Sequence, residues 1–269
     1  MGEQQAPELE TIDYAVADGV ATIALNRPDK RNAINMQLHK DLAAALRLVT
    51  RDRSVRALVI TGRGKGFCAG QDLTEFMMAK ADESFRVDDH VRKTFNRTIM
   101  TLRGLEIPVI AAINGVAAGA GWSLALAADI RFASDDASFT QAFSKIGLVP
   151  DTGSTWFLPE LIGTSRTLEL AYTGDVIDAA KALDWGLVNF VVPADELTTR
   201  AQEYAARLAA MPTLALGMTK RAVYRATTST LEDALEYEAQ VQQRAAKSDD
   251  HVEGVTAFLE KRDPAFTGR

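Results

Sequence analysis

The sequence has a single cysteine, Cys68, so no internal disulfide can staple it and a disulfide scaffold is excluded. Its three histidines, His39, His90 and His251, are scattered, and we expect no metal centre. Lys and Arg number 30 against 36 Asp and Glu, for a net charge of −6. No dense basic run stands out, so the footprint of a nucleic-acid binder is missing. The longest apolar stretch, about Pro108 to Ala128, is broken by Asn114 and several glycines, which argues against a membrane span. The N-terminal Met1–Pro7 is polar and has no apolar leader segment, and Ala6 stands where a myristoylation signal needs Ser or Thr. No low-complexity tract or exact repeat interrupts the chain. The expected location is the cytoplasm.

What is present is an ordinary globular composition, 47% hydrophobic and 25% charged over 269 residues. That length fits one large domain, with or without a small appendage, and buries a core unaided. Residues 11–16 alternate, Asp18-Gly19 marks a hairpin turn, and residues 20–25 follow as a second strand. Asn35 caps a helix with Leu38, Leu42, Ala45, Leu46 and Val49 on one face. Ala57–Thr61 is an uninterrupted apolar strand, read as buried on both faces. A polar, mobile segment is expected from Asp72 to about Asp89, then a helix from His90 to Gly104. Further strands are expected at Val109–Ile113 and Asp129–Ala133, with a helix at Trp122–Ala128 between them. Strand and helix alternate to about residue 195, which favours an α/β fold. From Leu197 onward the pattern is helical. The expected organisation is a core over 1–196 and a helical region over 197–269.

Three segments carry a resemblance. They are Gly66-Phe67-Cys68-Ala69-Gly70-Gln71-Asp72-Leu73, the run Pro108 to Gly121, and Phe139 to Thr155 with Gly147-Leu148-Val149-Pro150-Asp151 inside it. Leu25-Asn26-Arg27-Pro28 and Lys30-Arg31-Asn32-Ala33 match as well. In order and spacing these resemble the crotonase, or enoyl-CoA hydratase/isomerase, superfamily. By residue chemistry alone, Gly62–Gly70 is also compatible with a plain turn, and Gly115–Gly121 with close helix packing.

The resemblance implies an α/β spiral of ββα units with a C-terminal helical region, and an acyl-CoA thioester as substrate. It implies an oxyanion hole from the backbone amides of Gln71 and Ala120, with Ala120 at a helix start that adds positive potential. Lys30, Arg31 and the backbone near Ala33 resemble residues on the adenine and phosphate side of coenzyme A; for Lys30, Arg31 and Lys261 a solvated surface side chain is the alternative. Ala69, Gln71, Asp72 and Leu73 line its thioester arm. Phe258 and Lys261 resemble C-terminal residues that reach coenzyme A, often from a neighbouring subunit. Trp122, Ser123 and Phe143 are expected to shape the acyl pocket, with core packing the alternative for Trp122 and Phe143. For Asp72 the expected job is holding its loop. A homotrimer or dimer of trimers is implied, with no cofactor beyond the coenzyme A of the substrate.

The hydratases of this superfamily resemble one another in using two glutamates. At those positions this chain has Ser123 and Phe143. Neither is a competent general base near neutral pH. One carboxylate, Asp151, remains in the loop that resembles the catalytic segment of several isomerases, those acting on ring-epoxide phenylacetyl thioesters in particular. Read without the resemblance, Asp151 would cap the turn at Thr152-Gly153. The expectation is an isomerase of unsaturated or ring-epoxide acyl-CoA. An enoyl-CoA hydratase is the alternative, and a non-catalytic RNA-binding relative the remote one. That relative has a lysine-rich first helix, whereas Asn35–Arg51 offers chiefly Lys40 and Arg47 among alanines and leucines.

Overall fold

The computed structural model describes residues 8–269. The polar N-terminal stretch read above for leader and lipidation signals, residues 1–7, lies outside them. Strands β1 (Ile12–Ala17) and β2 (Val20–Leu25) form an antiparallel hairpin. Asp18 and Gly19, both with positive φ, make its two-residue turn. Helix α1 (Met36–Arg51) follows, its first turn closed by the Leu38 amide donating to Asn35 Oδ1 at 2.9 Å. Its Leu38, Leu42, Ala45, Leu46 and Val49 all point into the core.

From there the chain repeats one pattern, in which a strand in each of two sheets is followed by helix. The first turn is β3 (Ala57–Gly62), β4 (Gly66–Cys68) and helices α2 (Leu73–Lys80), α3 (Val87–Lys93) and α4 (Phe95–Gly104). The second is β5 (Val109–Ile113), β6 (Val116–Ala118) and α5 (Ala120–Leu126). The third is β7 (Ile130–Ser134), β8 (Ser138–Thr140) and α6 (Ser154–Thr173). Strand β9 (Val176–Asp178), helix α7 (Ala179–Asp184) and strand β10 (Phe190–Val192) close the spiral. The large sheet runs β1-β2-β3-β5-β7-β10, parallel from β2 onward. The small sheet runs β4-β6-β8-β9, with only β9 antiparallel.

The unbroken apolar runs of β3 and β5 follow from burial on both faces. Leu58, Ile60, Val109, Ala111 and Ile113 join the main core, whereas Val59, Ile110 and Ala112 face a second cluster. That cluster is closed by Leu197, Ala201, Ala205 and Ala209 of α8 (Leu197–Ala209). The first helix of the C-terminal region thus completes the packing of the large sheet. Helices α9 (Thr213–Ala226), α10 (Leu231–Ala245) and α11 (Asp249–Glu260) extend beyond it. Helix α9 is fastened at Asp129, which accepts from the Tyr224 hydroxyl and pairs with the buried Lys220 ammonium at 2.9 Å. No helix among the described residues is long and apolar enough to cross a membrane.

Two local expectations are corrected. The segment after Asp72 is not irregular: Leu73–Lys80 is helical, capped by the Asp72 carboxylate, which accepts from the Thr74 and Glu75 amides. Leu73, Phe76 and Met77 do fall at i, i+3 and i+4, but the eight residues are too short a window for periodicity to reveal a helix. The helix expected over His90–Gly104 is two helices, broken at Thr94 (φ −116°, ψ −81°).

Candidate active site

Two backbone turns meet beside the small sheet. The first leaves β4 at Cys68 and runs Ala69-Gly70-Gln71. It is pinned to the 31–34 segment by Ala69 N to Arg31 O (2.9 Å), Ile34 N to Gly70 O (2.7 Å) and Asp72 N to Ile34 O (2.9 Å). The second leaves β6 at Ala118, turns at Gly119 (φ +51°) and starts α5 at Ala120. Only glycine lets them come so close. A Cβ on Gly70, whose φ is +91°, would stand 2.8 Å from Ala118 O and 3.5 Å from Ala120 N. The Gln71 and Ala120 amides stand on these adjoining turns, and among the described residues neither has a protein acceptor. The first amides of a helix have no partner inside it.

Both turns border a cavity of about 150 Å³. Ala69, Gln71, Leu73, Ala120 and Phe143 line it, with His90 and Asp151 as the titratable groups of its wall. The rest of the lining is largely apolar, including Phe76, Val91, Phe95 and Leu148. Burial raises the Asp151 carboxyl above its ordinary value, although the Thr152 hydroxyl, donating to Oδ1 at 2.7 Å, and nearby His90 pull it back. The Asp151 loop is braced from behind. Its carbonyl accepts from Ser154 N and Ser154 Oγ at 3.0 Å each, and Ser123 Oγ lies 3.2 Å away.

The remaining sequence-predicted residues divide by position. Phe143 is wall. Ser123 is fully buried behind the Asp151 loop as its brace, and Trp122 packs in the core against Phe139 (ring centroids 5.6 Å apart). Neither Trp122 nor Ser123 reaches the cavity, because side chains on the buried α5 turn away from its first amide. Lys30 and Arg31 are exposed; the Ala33 carbonyl accepts from the Arg27 guanidinium. Phe258 and Lys261 are exposed on and just after α11, outside the cavity wall. His90, one of three histidines scattered through the sequence, also lines the cavity, and nothing in its local pattern marks it.

Asp72 holds the loop. It pairs with Arg27 at 3.0 Å while capping α2. Burial opposes its charge, but the Arg27 hydrogen bond and the Glu75 and Thr74 amides outweigh that and keep the carboxyl below its ordinary value. A depressed carboxyl stabilises above its unfolded value and loses that contribution as pH falls through the folded one. Asp72→Asn is therefore expected to cost about 1–2 kcal/mol at pH 7. The deficit should shrink at pH 3, as thermal melts at the two pH values will show.

Two sheets built in spiral turns, parallel except at the β1–β2 and β8–β9 edges, with a helical C-terminal region, place the chain in the crotonase fold class. The sequence matches the enoyl-CoA hydratase/isomerase family over residues 15–269, and the chain belongs to that family. It is 44% identical to the 1,2-epoxyphenylacetyl-CoA isomerase of Escherichia coli (strain K12), across 97% of this chain and 100% of that one. It is 33% identical to the trans-2-decenoyl-(acyl-carrier-protein) isomerase of Streptococcus mutans serotype c, across 97% and 100%. The crystal structure of an enoyl-CoA hydratase from Bacillus anthracis superposes with a TM-score of 0.91 at 35% identity, covering 97% of this chain and 100% of that one. Isomerases and a hydratase thus stand together among its relatives.

Proposed function

We propose that this chain is an acyl-CoA isomerase in which Asp151 is the single acid–base group and the Gln71 and Ala120 amides form the oxyanion hole. One observation carries the reading: among the described residues, Asp151 is the only carboxylate in the cavity wall, and burial raises its pKa. As carboxylate, Asp151 takes a proton from the carbon beside the thioester carbonyl. The C–H electron pair moves toward the carbonyl oxygen, where the two amides hold the negative charge; such a donor is worth ~3–4 kcal/mol. The protonated Asp151 then returns the proton to a more distant carbon, and the double bond moves. Burial, which raises its pKa, eases formation of the protonated form in mid-reaction. The positions of the two hydratase glutamates hold Ser123 and Phe143, which supports proton movement over water addition.

The coenzyme A portion would lie along the 30–33 and 69–73 segments. Lys30 and Arg31 meet phosphate, the Ala33 backbone lies at the adenine side, and Ala69, Gln71, Asp72 and Leu73 flank the pantetheine arm. Phe258 and Lys261 would reach it from a neighbouring copy in a trimer or dimer of trimers. The exposed apolar residues Leu231, Leu235, Val252, Val255, Phe258 and Leu259 of α10 and α11 support such contact. Likeness to the E. coli isomerase makes a ring-epoxide phenylacetyl thioester one candidate substrate, beside unsaturated acyl-CoA. The test is a panel of crotonyl, 3-enoyl and ring-epoxide phenylacetyl thioesters in isotopically labelled water. Product of unchanged mass, exchanged hydrogens aside, is expected. Product heavier by one water would replace this reading with the hydratase one.

A further inference from the structure

We propose that His90 is a positioning residue for the oxyanion hole, clamping the loop that carries the Gln71 amide to helix α3. The inference rests on the reading of that hole given above. His90 Nε2 lies 3.1 Å from Gln71 Oε1. With the amide oxygen facing it, Nε2 is the donor and carries the proton in the matching tautomer. Among the described residues this is the one hydrogen bond that joins α3 to the 69–72 loop. Both residues line the cavity, and Asp151 lies close enough to act on the charge of His90. The clamp therefore sits where a thioester carbonyl would meet the Gln71 amide.

The surroundings of His90 hold its ring in place. Four aromatic rings from separate segments flank the half-buried imidazole: His39 at 5.6 Å, Phe76 at 6.4 Å, Phe85 at 5.7 Å and Phe95 at 5.9 Å between centroids. A phenyl group would pack among these rings equally well. What it would lack is the donor to Gln71. His39 does not compete for that acceptor. Burial and the neighbouring His90 push it down to about 3, so it stays neutral, and its buried Nε2 has no partner. The flanking rings fix where the imidazole stands, and the imidazole fixes the Gln71 side chain. The adjoining backbone amide then needs no reordering when charge develops on the substrate oxygen.

The test uses the full chain and cinnamoyl-CoA, whose conjugated thioester absorbs further to the red when its carbonyl oxygen is polarised. Wild type is expected to give a red shift on binding. His90→Phe keeps the packed ring but removes the donor. It should lose most of the shift and lower kcat roughly 10- to 100-fold on a turned-over thioester, with KM little changed. Gln71→Leu reports the same bond from the half-buried loop, so the result does not depend on His90→Phe folding. The double variant should be no worse than either single one. His90→Gln, which can still donate, should recover most of the shift. A full shift in His90→Phe, or losses that add in the double variant, would overturn the clamp. Absence of any shift in wild type would instead sink the oxyanion-hole reading, and the clamp with it.

Discussion

Asp151→Asn is expected to lower kcat by roughly 10²- to 10⁴-fold while leaving thioester binding nearly intact. Asparagine keeps the size and can still accept from the Thr152 hydroxyl through its amide oxygen, so the loop braced by Ser123 and Ser154 has no reason to move. What it loses is the ability to take up and return a proton. The same group sets the acid limb of activity. The working form is the carboxylate, so kcat/KM should rise with pH through a midpoint above the ordinary aspartate value of 3.8. Stability moves the opposite way. A carboxyl raised on folding binds more protons in the native state, so stability falls as pH rises from the unfolded value through the folded one. Above that window the variant escapes the cost of burying a charge. It should melt at or above the wild-type temperature at pH 7 while being catalytically disabled. Loss of activity together with lower stability would point to damage of the loop instead.

The second large effect is expected at Gly121, one residue past the Ala120 amide. A methyl group there would meet the Cys68 carbonyl and stand 2.7 Å from Cys68 Cβ, atoms fixed in β4. No flexible side-chain end is present to yield. Gly121→Ala must push the start of α5 away from β4, at about 3 kcal/mol of overpacking. Because the turns that carry the Gln71 and Ala120 amides are those forced apart, kcat should fall more steeply than stability. Denaturant melts and steady-state kinetics on one preparation test both parts. The comparison variant is Gly104→Ala, at a position where an added Cβ meets nothing within 4 Å; it should leave the melting midpoint nearly unchanged.

The contrast between these residues shows what the sequence made legible. Gly70 and Gly121 are visible in the sequence because close approach of two backbones demands glycine, and glycine spacing survives in one dimension. The buried strands β3 and β5 are visible because burial on both faces leaves an unbroken apolar run. Asp151 could be singled out only through resemblance, since its local text, Pro150-Asp151-Thr152-Gly153, is equally good turn chemistry. Its position in the cavity wall depends on the third spiral turn packing against the second, which no local pattern encodes. Helix α2 is hard to read for another reason: its eight residues, with Met77 and Met78 exposed beside cavity-lining Leu73 and Phe76, are too few to establish a period. Of the two roles open to Trp122, the structure shows core packing, since closeness in sequence to Ala120 does not mean closeness to the cavity. Helical geometry turns its ring into the core against Phe139. His90 was the least legible residue, because its partners Gln71, His39 and Phe95 meet it only after three helices have packed.

The most direct measurement follows one hydrogen. A 3-enoyl thioester carrying deuterium at C2 is turned over once in ordinary water, and the product is read by mass spectrometry and NMR. The account predicts a 2-enoyl product with deuterium delivered to C4 by wild type, and essentially no product from Asp151→Asn. Product that carries oxygen from the solvent, formed equally fast by the variant, would contradict it.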